Sequence, residues 1–282
     1  MKSLLTTCFA TLLFIGLAAA PSLGDMAYGV TLVDNQLISI NTANGSAALV
    51  GPLDGNVAPF GLSGFNNQLY TFDSTADLIR QINTSTGGTA ASYNIGIGPV
   101  LGQGGLAFQT STTGYLTTAL DPSTLNQGNN LYQFNISTGL TTLIAHTADT
   151  LSSIAFAANG TLYGLGQGDG NLYVVDPTTG GTTLVGNAGV SVGSPVGALT
   201  FGVNGTLYAT LDDTLYSLST TTGLATAIGD PNTQSGFASI SGLAFSNGIL
   251  PAASVPEPAS IFLLASGVVG LVAFKARAGR AA

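Results

Sequence analysis

Charge is what this sequence has least of. Only 6% of its 282 residues are charged, against roughly 25% in an average soluble domain, so Thr, Ser, Asn and Gln must make the surface polar. A neutral polar surface suits work outside the cytoplasm. Basic residues are scarcer still: Lys2, Lys275, Arg277 and Arg280 lie in the terminal segments and leave Arg80 alone between them. Twelve aspartates from Asp25 onward face that one arginine, and the resulting negative field repels phosphate backbones and anionic lipid. Nucleic acid is excluded as a partner.

Three further scarcities limit the chemistry. Cys8 is the only cysteine and lies in a segment expected to be removed, so the mature chain has no disulfide or thiol chemistry. A lipoprotein cysteine follows an apolar stretch, whereas Cys8 stands near the start of one. His146 is the only histidine, which excludes a multi-histidine zinc site and leaves at most a lone base in the setting LIAHTADT, read as the surface end of a strand. Glutamate is absent before Glu257, so the two tuned carboxylates of a glycoside hydrolase would both have to be aspartates. Most aspartates read as turn residues: Asp121-Pro122, Asp169-Gly170, Asp176 and Asp230-Pro231. A G-x-S-x-G elbow and an EF-hand loop are both missing. Calcium accepts Asp, Asn and backbone carbonyls, which makes Asp212-Asp213 and Asp73 with Asp77 the clusters to inspect. No cofactor, metal or catalytic residue is assigned on these grounds.

The two ends read as addresses. Lys2, the apolar run Leu4 to Leu17 and the small residues Ala18, Ala19 and Ala20 form a secretory signal over residues 1–24, the substrate of a signal peptidase. Ser22-Leu23-Gly24 offers a second cleavage site, because cutting after Ala20 would leave Pro21 first. Residues 259–274 carry no charge and precede Lys275, Arg277 and Arg280. At ~1.5 Å per residue the uncharged stretch reaches about 25 Å, slightly short of a ~30 Å hydrocarbon core. It is predicted to be one C-terminal transmembrane helix, with the basic cluster holding its end in the cytoplasm.

Immediately before that stretch stands Val255-Pro256-Glu257-Pro258. Pro-Glu-Pro, a span and a basic end together resemble the PEP-CTERM sorting signal over residues 251–282. The resemblance implies a Gram-negative host that makes exopolysaccharide. It also implies recognition by an exosortase, a membrane transpeptidase-like protease, with Pro256, Glu257 and Pro258 as recognition residues and Lys275, Arg277 and Arg280 as the basic cluster. Here the basic residues are spread through KARAGR and two alanines follow.

Between the ends the chain repeats. LISINTANG, LIRQINTSTG, LYQFNISTG, LYVVDPTTG and LYSLSTTTG each join an alternating strand to a turn ending in Gly45, Gly87, Gly139, Gly180 or Gly223. A polar residue stands four positions earlier, at Asn41, Asn83, Asn135, Asp176 and Ser219. The glycines are 42, 52, 41 and 43 residues apart, the length of a four-stranded propeller blade. A second set of strands ends in Phe65, Phe108, Phe156, Phe201 and Phe245. The chain begins with a hairpin lacking its Phe strand and ends with a Phe strand, Ser239 to Ser246, lacking its hairpin, which is the offset a closed ring needs. The reading is an all-β, five-bladed β-propeller over residues 25–250, closed by its last strand; a stacked β-solenoid would explain the repeats but not the half-repeats. The recurring Asn-x-Ser/Thr triplets at Asn44, Asn83, Asn135, Asn159 and Asn204 are taken as left-handed turn residues and not as glycosylation sites.

The functional expectation is an exported surface or matrix protein whose propeller is a non-catalytic binding or structural domain among extracellular polysaccharide. The alternative is a lactonase-like or lyase-like propeller enzyme using a calcium ion in its channel, with aspartates converging at one channel mouth.

Overall fold

The computed structural model describes residues 26–55, 57–98, 104–120, 127–194, 196–248 and 250–251. The expected signal peptide (1–24), the transmembrane segment (259–274) and the sorting residues Pro256 to Pro258, Lys275, Arg277 and Arg280 lie outside them. No helix among the described residues is long and apolar enough to cross a membrane.

Among the described residues, twenty strands form five four-stranded antiparallel sheets. In the first blade, β1 (Met26–Thr31), β2 (Gln36–Asn41) and β3 (Ala47–Pro52) are joined by β20 (Ile240–Ala244). Four more blades run in chain order. The second holds β4 (Pro59–Phe65), β5 (Gln68–Asp73), β6 (Leu78–Ile82) and β7 (Thr89–Asn94), and the third holds β8 (Leu106–Phe108), β9 (Thr113–Leu120), β10 (Gln127–Asn135) and β11 (Leu140–His146). The fourth holds β12 (Leu151–Phe156), β13 (Leu162–Gly166), β14 (Asn171–Val175) and β15 (Thr182–Asn187), and the fifth β16 (Gly197–Phe201), β17 (Leu207–Leu211), β18 (Thr214–Leu218) and β19 (Ala225–Gly229). Pairing of Tyr28 with Ala244 and of Gly29 with Leu243 closes the ring, which a solenoid would not do. Asp230-Pro231, expected as a loop, opens a single helical turn, α1 (Pro231–Ser235), with the Asp230 carboxylate accepting from the Asn232 N–H.

The innermost strands β20, β4, β8, β12 and β16 pack against one another around the axis. Alternation alone would leave such strands half-buried, with one side to water, and these are not. In β12 and β20 every residue is buried, because one side meets a neighbouring blade and the other the axis. Such close approach requires small residues: a β-carbon on Gly242 would stand 2.7 Å from the backbone of Gly61 and Leu62. Hydroxyls then join each seam. Ser241 donates to the Pro59 carbonyl (2.6 Å), Ser63 accepts from the Phe108 N–H (3.2 Å) and Ser153 accepts from the Leu199 N–H (2.9 Å). Thr117 and Thr210 reach the carbonyls of Leu151 and Ile240 at 3.5 Å. Part of the Ser and Thr content is therefore internal, satisfying backbone groups that meet no water.

Rings pack the same seams further out. Tyr70–Phe108, Tyr115–Phe156, Tyr163–Phe201 and Tyr208–Phe245 lie with centroids 4.9, 5.6, 5.5 and 5.7 Å apart, each a second-strand tyrosine against the next blade's inner phenylalanine. The outermost strands carry a bulge in every blade. In four blades the extra residue is Val50, Ile144, Val185 or Ile228, and each turns inward onto a core cluster. A bulged edge resists pairing with another sheet.

All five turn glycines have positive φ, from 70° to 78°. The residue four earlier accepts twice in each turn: its carbonyl takes the glycine N–H, and its side chain takes the N–H two positions on. This corrects the reading of the Asn triplets. Asn44, Asn83, Asn135, Asn159 and Asn204 are absent from the left-handed residues. Each instead closes a turn by accepting from the N–H two residues on.

Candidate functional site

Antiparallel order gives the ring two faces. Turns between second and third strands open on one face, while turns between first and second strands open on the other, where β1 begins and β20 ends. The first face holds aspartate in four blades among the described residues: Asp34, Asp73 with Asp77, Asp169, and Asp212 with Asp213. Asp121 takes the corresponding sequence position in the remaining blade and lies outside the described residues. The opposite, terminal face is built from the turns 66–67, 109–112, 157–161 and 202–206 and carries no charged residue in them. Asp54, Asp149 and Asp230 belong to the blade links on the aspartate side, and Asp176 to an outer turn on the terminal side, at the rim.

The carboxylates nominated for calcium are occupied by the fold. Asp73 is 1% exposed and ion-pairs with Arg80 at 2.7 Å, while its other oxygen accepts from the Thr75 hydroxyl (2.8 Å) and N–H. Asp77 accepts from the N–H groups of Ile97 and Gly98, and Asp212 from those of Gly193 and Ser194 at 2.7 and 2.6 Å. Asp213 accepts from the Ile240 N–H at 2.9 Å, tying the fifth blade to the closing strand. Asp77, Asp212 and Asp213 draw their donors from another element, so they act as clasps. Among the described residues, no three of His, Cys, Asp or Glu come together as a metal site would need.

Asp169 belongs to a polar cluster in which it accepts from Asn171 (2.8 Å) and from the Tyr173 hydroxyl (3.3 Å), while Asn187 donates to Asn171 (2.8 Å). Burial pushes the Tyr173 hydroxyl up to about 12; the hydrogen bond from Asn171 opposes this, and the charges of Asp169 and Asp149 add to it. It therefore stays protonated near neutral pH and keeps its hydrogen bond to Asp169. His146 ends β11, paired with Asn130, and is exposed as expected.

A cavity of about 40 Å³ is lined by the ends of four inner strands, including Gly64, Phe108, Phe156 and Phe201, and covered by Gly248 and Leu250. That is room for a few waters, since one needs ~10–15 Å³. Leu250 also packs against the core cluster containing Phe65 and Phe108. The chain therefore leaves the ring at the centre of its terminal face.

The segment beyond that exit decides the family resemblance. Residues 254–278 match the family model of the PEP-CTERM protein-sorting motif. The chain carries this sorting motif at its C-terminal end. The match includes Pro256, Glu257, Pro258, Lys275 and Arg277, and stops short of Arg280. A PEP-CTERM motif implies export and processing by an exosortase. No curated protein matches the chain. Among solved structures, a chain in the crystal structure of a nidogen/laminin complex is similar with a TM-score of 0.50 and 13% identity, over 80% of this chain and 99% of that one. Virginiamycin B lyase from Staphylococcus aureus is similar with a TM-score of 0.42 and 14% identity, over 75% of this chain and 72% of that one. At 13% identity the likeness to the nidogen/laminin chain is one of fold alone.

The clasps and seam hydroxyls escaped sequence reasoning. The aspartate face left a signal: in every blade an aspartate stands within or beside the turn after the second strand.

Proposed function

We propose that this is an exosortase-sorted cell-surface protein whose propeller is a non-catalytic binding or structural module, delivered among extracellular polysaccharide. The PEP-CTERM match behind a closed propeller carries this reading. Pro256, Glu257 and Pro258 serve as the recognition residues, and Lys275, Arg277 and Arg280 hold the span until processing releases or transfers the domain. Support for a non-catalytic role comes from the aspartates, whose oxygens are taken by backbone amides and Arg80. The axial cavity of about 40 Å³ is also far below the ~300–1,000 Å³ of ligand pockets.

The test is to tag the protein ahead of Ser254 and compare wild type with Glu257→Ala by fractionation in an exosortase-bearing host. Wild type is expected to lose its tail, and Glu257→Ala to stay full-length in the membrane fraction. Equal processing of the two would overturn the sorting assignment.

A further inference from the structure

We propose that, while its tail is still in the membrane, the propeller stands on its terminal face, with that face against the headgroups of the bilayer and the aspartate face turned outward. This rests on the sorting-tail reading and adds an orientation to it. Three observations carry it.

The first is where the chain ends. Leu250 and Gly248 cover the axial cavity among residues of four inner strands, so the tail departs from the middle of the terminal face and not from the rim. Only residues 252–258 separate Pro251 from the uncharged stretch. Seven residues reach at most about 25 Å when fully extended. A ring of this size has a radius of gyration of about 17 Å, so a route from the centre of one face over the rim to the other is well beyond that reach. The tether therefore allows one face to approach the bilayer.

The second is charge. The inner turns of the terminal face carry no charged residue and its outer turns carry Asp176 alone, at the rim, whereas the inner turns of the opposite face carry six aspartates among the described residues, one of them paired with Arg80. Anionic headgroups repel the aspartate face and leave the terminal face indifferent.

The third is apolar exposure. Val203, at the tip of the β16–β17 turn, is 36% exposed, and beside it Phe156, Ala158 and Phe201 line a groove of about 220 Å³. Toward the rim on the same side of the strands, Leu140 and Leu224 stand exposed as well, whereas the described turns of the aspartate face expose one large apolar residue, Val33, beside the charge of Asp34. Uncharged turns tipped with apolar side chains fit a headgroup layer, which accepts both.

The mature chain has no cysteine, so single labels can be placed at will. Ala158→Cys marks the terminal face and Val33→Cys the aspartate face, both at exposed turn positions. Each variant, without the Cys8-bearing residues 1–24 but with its whole C-terminal tail, carries a fluorophore on the introduced cysteine and is reconstituted in vesicles of phosphatidylethanolamine and phosphatidylglycerol containing a headgroup-linked nitroxide quencher. Circular dichroism checks that both retain the wild-type fold. The label at position 158 is expected to be quenched several-fold more than that at position 33. Equal or reversed quenching in membrane-bound protein overturns the orientation alone. Tail-bearing protein that fails to float with the vesicles overturns the orientation together with the anchored-tail reading beneath it.

Discussion

The two faces of the ring use one chemistry in two ways. On the aspartate face, carboxylates reach across elements: Asp77 to the segment after β7, Asp212 to the link before β16, and Asp213 to β20. On the terminal face the same type of acceptor works locally, as Asn159 and Asn204 close turns onto the N–H two residues ahead. A distant amide needs a strong acceptor to offset the entropy of ordering two segments, and a carboxylate supplies it. A tight turn is already short, so a neutral amide suffices. Most of the charge is therefore gathered on one face, and the centre of the other is left neutral where the chain departs.

The largest blow to this contrast is removal of Arg80. It leaves the Asp73 carboxylate buried at 1% exposure with its positive partner gone. Breaking a buried pair in this way typically costs about 3–5 kcal/mol. Arg80→Ala is expected to lose stability on that scale in urea unfolding of the signal-free, tail-free chain. A loss no greater than that of a surface Thr→Ala change would mean that the pair contributes nothing and that the aspartate face is mere decoration.

A smaller effect separates clasp from charge. Asp213 holds the Ile240 N–H at 2.9 Å from a left-handed position with φ of 64°. Asp213→Ala removes the acceptor and places a β-carbon without local compensation in that conformation, for about 1–2 kcal/mol. Asp213→Asn keeps both the acceptor and the tolerance of left-handed φ, and is expected to fall well below that in the same assay. Equal losses from the two would assign the effect to charge and not to the clasp.

How much of this was legible beforehand differs between the levels of structure. The ring was readable because its period is written in local chemistry: a glycine needed at positive φ in each hairpin turn and a phenylalanine ending each inner strand. Closure was readable from the two half-repeats, and β20 beside β1 is where they meet. The seams were not readable, because Ser153 meeting Leu199 or Thr210 meeting Ile240 depends on neighbouring blades and not on neighbours in sequence. For the same reason, Ser and Thr looked like surface residues while part of them serve the interior. Inner strands misled the alternation argument because both of their sides are covered. The faces lay between these cases: strand parity assigns each turn to a side, so the one-sidedness of the aspartates was already present in the order of the residues.

The smallest expected effect tests the local turn chemistry directly. Asp176 is exposed in an outer turn, and its carboxyl is lowered from an ordinary value of 3.8 to about 2, first by the Thr178 hydroxyl, then by the Thr178 N–H and the Thr179 hydroxyl. A carboxyl depressed in the folded state contributes stability above its unfolded value and loses it as pH falls through the folded one. The contribution of this turn is therefore fully present above about pH 4 and fades toward about pH 2. Because the group faces water, the effect on global stability is slight, and the carboxyl resonance itself is the better readout. In an NMR titration, Thr178→Val is expected to move the Asp176 midpoint up toward its ordinary value, since the largest cause of the shift is gone. The N–H of residue 178 remains, so part of the depression should survive. An unchanged midpoint would mean that the backbone alone sets the turn, and that the threonine recurring in these loops owes its place to strand formation instead.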